Sequence, residues 1–180
     1  MSKNIIDKFN FVKIIEMLDS FINYTLILKK LNDDLINKKI RYPNFPSEIS
    51  ENIVKLALFK KYNKIPIWDT KSGDLELDGE KIEVKAFSSD GPASFGPTEN
   101  WTKIYFINCK DYINKNFIIH EINLSNSDEI FNSIKVNKIQ TFKDQCLQGK
   151  RPRISFEELN KQIPHDHVNI IFNGNLSELE

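Results

Sequence analysis

Cysteine is nearly absent from this chain of 180 residues: Cys109 and Cys146 are the only two. Two isolated cysteines build neither a disulfide framework nor a zinc site, so each is expected to be a reduced, small apolar side chain. No apolar run approaches the length of a bilayer crossing, and Met1-Ser2-Lys3-Asn4 lacks the charged-then-apolar layout of a signal peptide; a cytoplasmic protein without a membrane segment is expected. Net charge is missing as well, with 25 basic and 25 acidic residues. That balance is not what a non-specific nucleic-acid coat would show, yet it admits an enzyme whose acidic centre and basic track cancel in the sum. Arginine is scarce, three residues against 22 lysines, so Arg41, Arg151 and Arg153 carry information that the lysines do not. Internal repeats and low-complexity segments are absent too. With 40% hydrophobic residues, one domain over 1–180 around one sizeable core is expected.

Along the chain, apolar residues recur at helical spacing from Ile5 through Phe9, Val12, Ile15, Leu18, Ile22 and Leu26, which predicts one long or two shorter helices ending near Leu35. Pro43 and Pro46 punctuate the chain, and Pro46 suits the first turn of a second helix over 47–62 with Ile49, Ile53 and Leu56 on its apolar stripe. Ile65-Pro66-Ile67-Trp68 reads as a short strand that its proline confines to an edge. Strands are expected over 103–109, 116–123 and 168–172, and short helices over 127–133 and 156–163. Helices, then a strand cluster, then alternation predict an α+β (α/β) fold, a central mixed sheet flanked by helices.

The most informative stretch is Ser72 to Lys85. Asp78-Gly79 is a two-residue loop of the kind that closes tight hairpins, because both central positions need positive φ. It sets the register: Leu77 pairs with Glu80, Glu76 with Lys81, Leu75 with Ile82, and Asp74 falls opposite Glu83. Leu75, Leu77, Ile82 and Val84 then share one face, while Asp74, Glu76, Lys81, Glu83 and Lys85 share the other. Two facing carboxylates repel, and a hard divalent cation such as magnesium is one way to keep both ionised. A solvated hairpin face carrying alternating Glu and Lys would read the same way.

An aspartate, a spacer and then Glu83-Val84-Lys85, with Ile82 and Val84 flanking the glutamate, resembles the active-site signature of the PD-(D/E)XK nuclease superfamily, with Gly73-Asp74 in place of the usual Pro-Asp. The continuation Lys85-Ala86-Phe87-Ser88-Ser89-Asp90-Gly91-Pro92-Ala93-Ser94-Phe95-Gly96-Pro97, followed by Trp101, resembles small type II restriction endonucleases in particular, and the likeness runs from about Pro43 to Arg153. The resemblance implies a restriction-endonuclease-like fold. It also implies Mg²⁺-dependent, sequence-specific cleavage of double-stranded DNA, a homodimer, and a companion DNA methyltransferase. Asp74 and Glu83 would hold the metal and Lys85 would position the attacking water. Ser50-Glu51-Asn52-Ile53-Val54 resembles the superfamily segment whose helix glutamate assists the metal, which makes Glu51 a fourth catalytic candidate with Glu48 as the alternative. On the residues alone, both acids simply favour a helix N-terminus and Glu51 pairs with Lys55.

Under this reading the loop over 88–100, rich in Gly, Pro and Ser, lies beside the scissile phosphate, and Ser88, Ser89 and Ser94 are candidates to contact the DNA backbone. Between Lys138 and Arg153, five cations including Lys143, Arg151 and Arg153 face a single acid, Asp144, with three glutamines interspersed; lysine suits phosphates, while arginine and glutamine read base edges. An ordinary solvated loop is the competing reading there. His165-Asp166-His167 has no third ligand nearby and is expected at the surface. Two further functions fit the same residues: a repair or junction-resolving nuclease with shape-based recognition, and a non-catalytic DNA-binding or interaction module.

Overall fold

The proline-free N-terminal segment forms one helix, α1 (Lys3–Asp34), in the computed structural model, which describes residues 3–68 and 74–180, with 3–10 as backbone alone. The side chains of Ile5 and Phe9, and Ser72 and Gly73 of the hairpin, lie outside the described residues. Leu18 and Ile22 are buried as the spacing predicts, but their companions are Phe11, Ile14 and Leu28, whereas Val12 and Leu26 are exposed. The helix is rich enough in apolar residues to satisfy more than one 3.6-residue register, and the periodicity alone did not single out the inward one.

Helix α2 (Ser47–Tyr62) follows, burying Ile49, Ile53 and Leu56 together with Val54, Ala57 and Leu58. Pro46 is its extended N-cap rather than part of its first turn, and accepts the first helical hydrogen bond from the Ser50 N–H at 3.2 Å. The helix stops at Asn63, whose left-handed φ of 53° is one that asparagine tolerates better than most residues.

The sheet is built from β1 (Ile67–Trp68), β2 (Leu75–Leu77) and β3 (Glu80–Phe87), and, beyond the two-residue β4 (Ala93–Ser94), from β5 (Lys103–Asn108) and β6 (Asn116–Ile122). After α3 (Glu129–Ser133), α4 (Phe142–Leu147), β7 (Arg153–Ile154) and α5 (Phe156–Asn160), strand β8 (Val168–Asn175) completes it. The spatial order is β1-β2-β3-β5-β6-β8, antiparallel throughout except for the parallel β3–β5 pair. This is the expected mixed sheet flanked by helices, with β1 at an edge as Pro66 requires.

Side chains alternate across the sheet and divide the core in two. Ile82, Val84, Tyr105 and Ile107 pack beneath α1 and α2, while Ile104 and Phe106 face a second cluster with Phe95, Trp101, Phe131 and Phe142. In that cluster Phe131 sits edge-on to Trp101 and Phe142, ring centres 4.8 and 4.9 Å away. The hairpin's supposedly solvated face is therefore covered along its second half, because Glu83 and Lys85 point to the same side of β3 as Phe87, which joins this cluster.

Two features depart from the expected loops. The stretch 138–153 contains α4, whose start carries a capping box: the Thr141 hydroxyl accepts from the Asp144 N–H at 3.2 Å and the Asp144 carboxylate accepts from the Thr141 N–H at 2.8 Å. The lone acid of the basic stretch is thus a helix cap. Further on, β7 pairs antiparallel with β4, Ile154 against Ala93 and Arg153 against Ser94, which ties the basic stretch to the loop after β3.

Candidate active site

The turn behaves as its residues dictate: Asp78 and Gly79 have φ of 54° and 83°, and the pairs Leu77–Glu80, Glu76–Lys81 and Leu75–Ile82 follow in register. Among the described residues the β2 ladder reaches only to Leu75 opposite Ile82, and from Glu83 onward β3 has no described strand partner on that side. Asp74 fills the gap. Its N–H still donates to the Ile82 carbonyl at 2.9 Å, and its carboxylate accepts from the Val84 N–H at 2.7 Å. Asp74 therefore meets β3 through its side chain and is not a further cross-strand rung opposite Glu83, because the ladder has already ended.

Beside this open edge lies a cleft of about 570 Å³ between α2 and the loop after β3. Glu51, Asp74 and Lys85 line its acidic end, and Ser88, Ser89, Ser94 and Arg153 line the remainder. Glu83 lies beneath the wall, only 3% exposed, with its carboxylate against the Lys85 ammonium. Arg151 stands at the rim, where its Nε donates to the Ser94 hydroxyl at 3.3 Å. Lys143, exposed on α4, and Glu48, whose carboxylate accepts from the Ser47 hydroxyl, are not among the lining residues. Two residues that the sequence reading left without a role also belong here. Arg41 lines the cleft, and its rarity as an arginine was the available signal. Glu99 lies 3.8 Å from Lys85 and 3.9 Å from Arg151, and nothing local in the sequence distinguishes it from any other loop acid.

The electrostatics follow from burial. Desolvation pushes the Glu83 carboxyl up to about 7; Asp74 and Glu99 raise it further, while the Lys85 charge and hydrogen bond pull it down. Glu51 is likewise pushed up to about 7, first by burial and then by the charges of Asp74, Glu48 and Glu83, with Lys85 opposing. Asp74 is raised by burial as well, against the lowering effect of the Val84 amide and Lys85. Three carboxyl groups held above their ordinary range around one ammonium make a site short of positive charge. Its donors are all oxygens, the class that magnesium prefers. Among the described residues no group of three or more His, Cys, Asp or Glu is close enough to form a full metal cage. Magnesium keeps several waters and is held by one or two carboxylates, so the pair Asp74 and Glu83 fits it.

Elsewhere, Cys109 is buried and Cys146 half-buried, both unpaired, and His165-Asp166-His167 forms a 3₁₀ turn. No helix among the described residues is long and apolar enough to cross a membrane.

Comparison with known proteins gives this geometry a context. The family model for the Bsp6I restriction endonuclease matches residues 12–163, a span that includes every residue of the cleft. The type II restriction enzyme Bsp6I of Bacillus sp. (strain RFL6) is 33% identical over 127 residues, 71% of this chain and 71% of that protein. No solved structure matches the chain. A match of that extent, over the hairpin, the cleft loop and the basic stretch together, makes the chain a member of the Bsp6I restriction endonuclease family.

Proposed function

We propose that this chain is a single type II restriction endonuclease domain of the PD-(D/E)XK class that hydrolyses phosphodiester bonds of double-stranded DNA at a specific sequence with Mg²⁺. The observation that carries the reading is the convergence of Asp74, Glu51 and Lys85 at one end of a cleft lined by hydroxyls and arginine, with the Glu83 carboxylate against Lys85 beneath the wall. Asp74 and Glu83 would hold the cation and Glu51 would assist from α2. Magnesium there would supply Lewis acidity toward the attacking water and the scissile phosphate. The Lys85 ammonium then orients that water or offsets negative charge developing on the phosphate during in-line attack. Ser88, Ser89 and Ser94 face the DNA backbone. In the cytoplasm such an activity would require a companion methyltransferase, and an adjacent methyltransferase gene is the observation that checks this.

The Asp74→Ala, Glu83→Ala and Lys85→Ala proteins should all lose cleavage. With calcium in place of magnesium the wild type should bind its site without cutting, and losing Lys85 should spare that binding more than losing both carboxylates. Digestion of mixed-sequence DNA provides the test: discrete fragments from the wild type and undiminished cutting by Lys85→Ala would together overturn the assignment of the lysine, while cutting confined to branched or damaged DNA would favour a repair nuclease.

The raised carboxyls also make stability depend on pH. Glu51 and Glu83 hold a proton up to about 7 when folded, against 4.5 ordinarily, so the folded protein binds protons more tightly than the unfolded chain across that window. The stability that these two groups contribute is fully present below 4.5 and is lost as pH rises through about 7. A divalent cation favours the ionised site, so the rise in Tm on adding calcium should be larger at about pH 8 than at about pH 5. Equal rises at both would refute the account.

Arg151 and Arg153 are proposed to reach the DNA, at least one of them reading a base through its planar fork. Exposure alternates over Arg151, Pro152, Arg153 and Ile154, as expected if both guanidinium groups leave one side of an extended segment. Changing a base-reading arginine to alanine should cost about 1 to 3 kcal/mol of discrimination at one position of the site, whereas a phosphate contact should weaken all sequences alike. Binding to cognate and single-substituted sites at fixed salt distinguishes the two, and wild-type behaviour of both alanine variants would remove the patch from recognition.

The chain is further proposed to act as a homodimer through α1. Beside its buried stripe the helix exposes Met17, Tyr24 and Leu31 at seven-residue spacing with Ile27 between, the pattern of a helix seam. Light scattering should return twice the mass of one chain, and Tyr24→Lys should lower it. A monomer both free and on DNA would contradict the seam.

A further inference from the structure

The mechanism above leaves unused an acid beside Lys85, Glu99. Glu99 is three-quarters buried, and its Oε2, fully enclosed, has no hydrogen-bond partner among the described residues. That oxygen lies 3.8 Å from Lys85 Nζ, and its other oxygen lies 3.9 Å from an Arg151 guanidinium nitrogen. Its place is prepared by Gly96. A Cβ on that residue would come within 2.5 Å of Oε1, so the absence of a side chain there lets the carboxylate lie against the loop. A buried carboxylate oxygen without a donor is costly and uncommon. Here it is bracketed by two cations, one at the acidic end of the cleft and one at its DNA-facing rim.

We propose that Glu99 is a positioning residue that links recognition to catalysis by holding Lys85 in place when Arg151 has moved to DNA, an inference that rests on the nuclease reading. In the free protein Lys85 is shared between Glu83 and Glu99, and Glu99 is shared between Lys85 and Arg151. With Glu83 committed to a cation, Glu99 is the carboxylate left to fix the ammonium. When a cognate base draws Arg151 away, the Glu99 charge acts on Lys85 alone. A sequence that offers Arg151 no such partner leaves that charge divided. Glu99 therefore sharpens the difference between cognate and near-cognate DNA in the cutting step, while contributing little to binding.

The test uses the full chain with Glu99→Gln and Glu99→Asp, cognate and single-substituted duplexes, binding in calcium and single-turnover cleavage in magnesium. Glu99→Gln should bind cognate DNA about as the wild type does, cut it about 10- to 100-fold more slowly, and lose part of its preference over the substituted site. Glu99→Asp should recover part of the rate. In an Arg151→Ala background, Glu99→Gln should no longer alter that preference. Wild-type cutting by Glu99→Gln, or binding and cutting falling in equal measure in both Glu99 variants, overturns the proposal. Absence of cutting by the wild type defeats the nuclease reading itself, and the two failures are thereby distinct.

Discussion

Mutual repulsion among carboxylates that have been taken out of water is the constraint around which this structure is arranged. Asp74, Glu83 and Glu51 come from a strand end, a strand and a helix, and each is held above its ordinary proton affinity first of all by burial. The fold tolerates them because partial compensation is built in. The Val84 amide is donated to Asp74 where β2 ends, and the Lys85 ammonium is set two residues from Glu83 on the same side of β3. Neither device neutralises the cluster. What remains is an affinity for positive charge, and the cleft that Asp74, Glu51 and Lys85 line is what keeps that affinity accessible.

The same arrangement explains why the second half of the core matters to the site. Lys85 lies 5.2 Å above the centre of the Phe95 ring, and Phe95 packs against Phe106, Phe131 and Phe142. The aromatic cluster beneath the loop thus gives the lysine a fixed, partly dry platform, and a cation over a ring face gains further from desolvation. The side chains proposed to be catalytic, Glu83 and Lys85, and the aromatic packing around Phe87 share one surface of β3.

Much of this was legible in the chain itself, for local reasons. Asp78-Gly79 dictates its turn wherever it occurs between strands, and that one dipeptide set the pairing of Leu75 with Ile82; α2 and the central strands followed from periodicity in the same way. The parts that could not be read depend on contacts between distant segments. The pairing of Ala93-Ser94 with Arg153-Ile154 joins residues some sixty positions apart and leaves no trace in either stretch. The burial of Glu83 could not be foreseen from the hairpin, where a solvated face would read the same way, since the cluster covering it is assembled mostly from residues 95 onward. Helix α4 is a different case, because Thr141 and Asp144 stand at capping-box spacing and were legible as a helix start.

The small β4–β7 ladder has a consequence for how specificity in this protein can change. Ser94, in the wall of the cleft, and Arg153, on the proposed reading segment, are opposite members of one two-rung pair, and the Phe95 N–H beside them donates to the Pro152 carbonyl at 3.0 Å. Segments bonded in this way move as one body. A substitution that shifts the proposed reading segment to suit a new base drags the loop after β3 with it, so new target preferences in this lineage are more accessible through exchange of single side chains on an unmoved backbone than through remodelling of the loop.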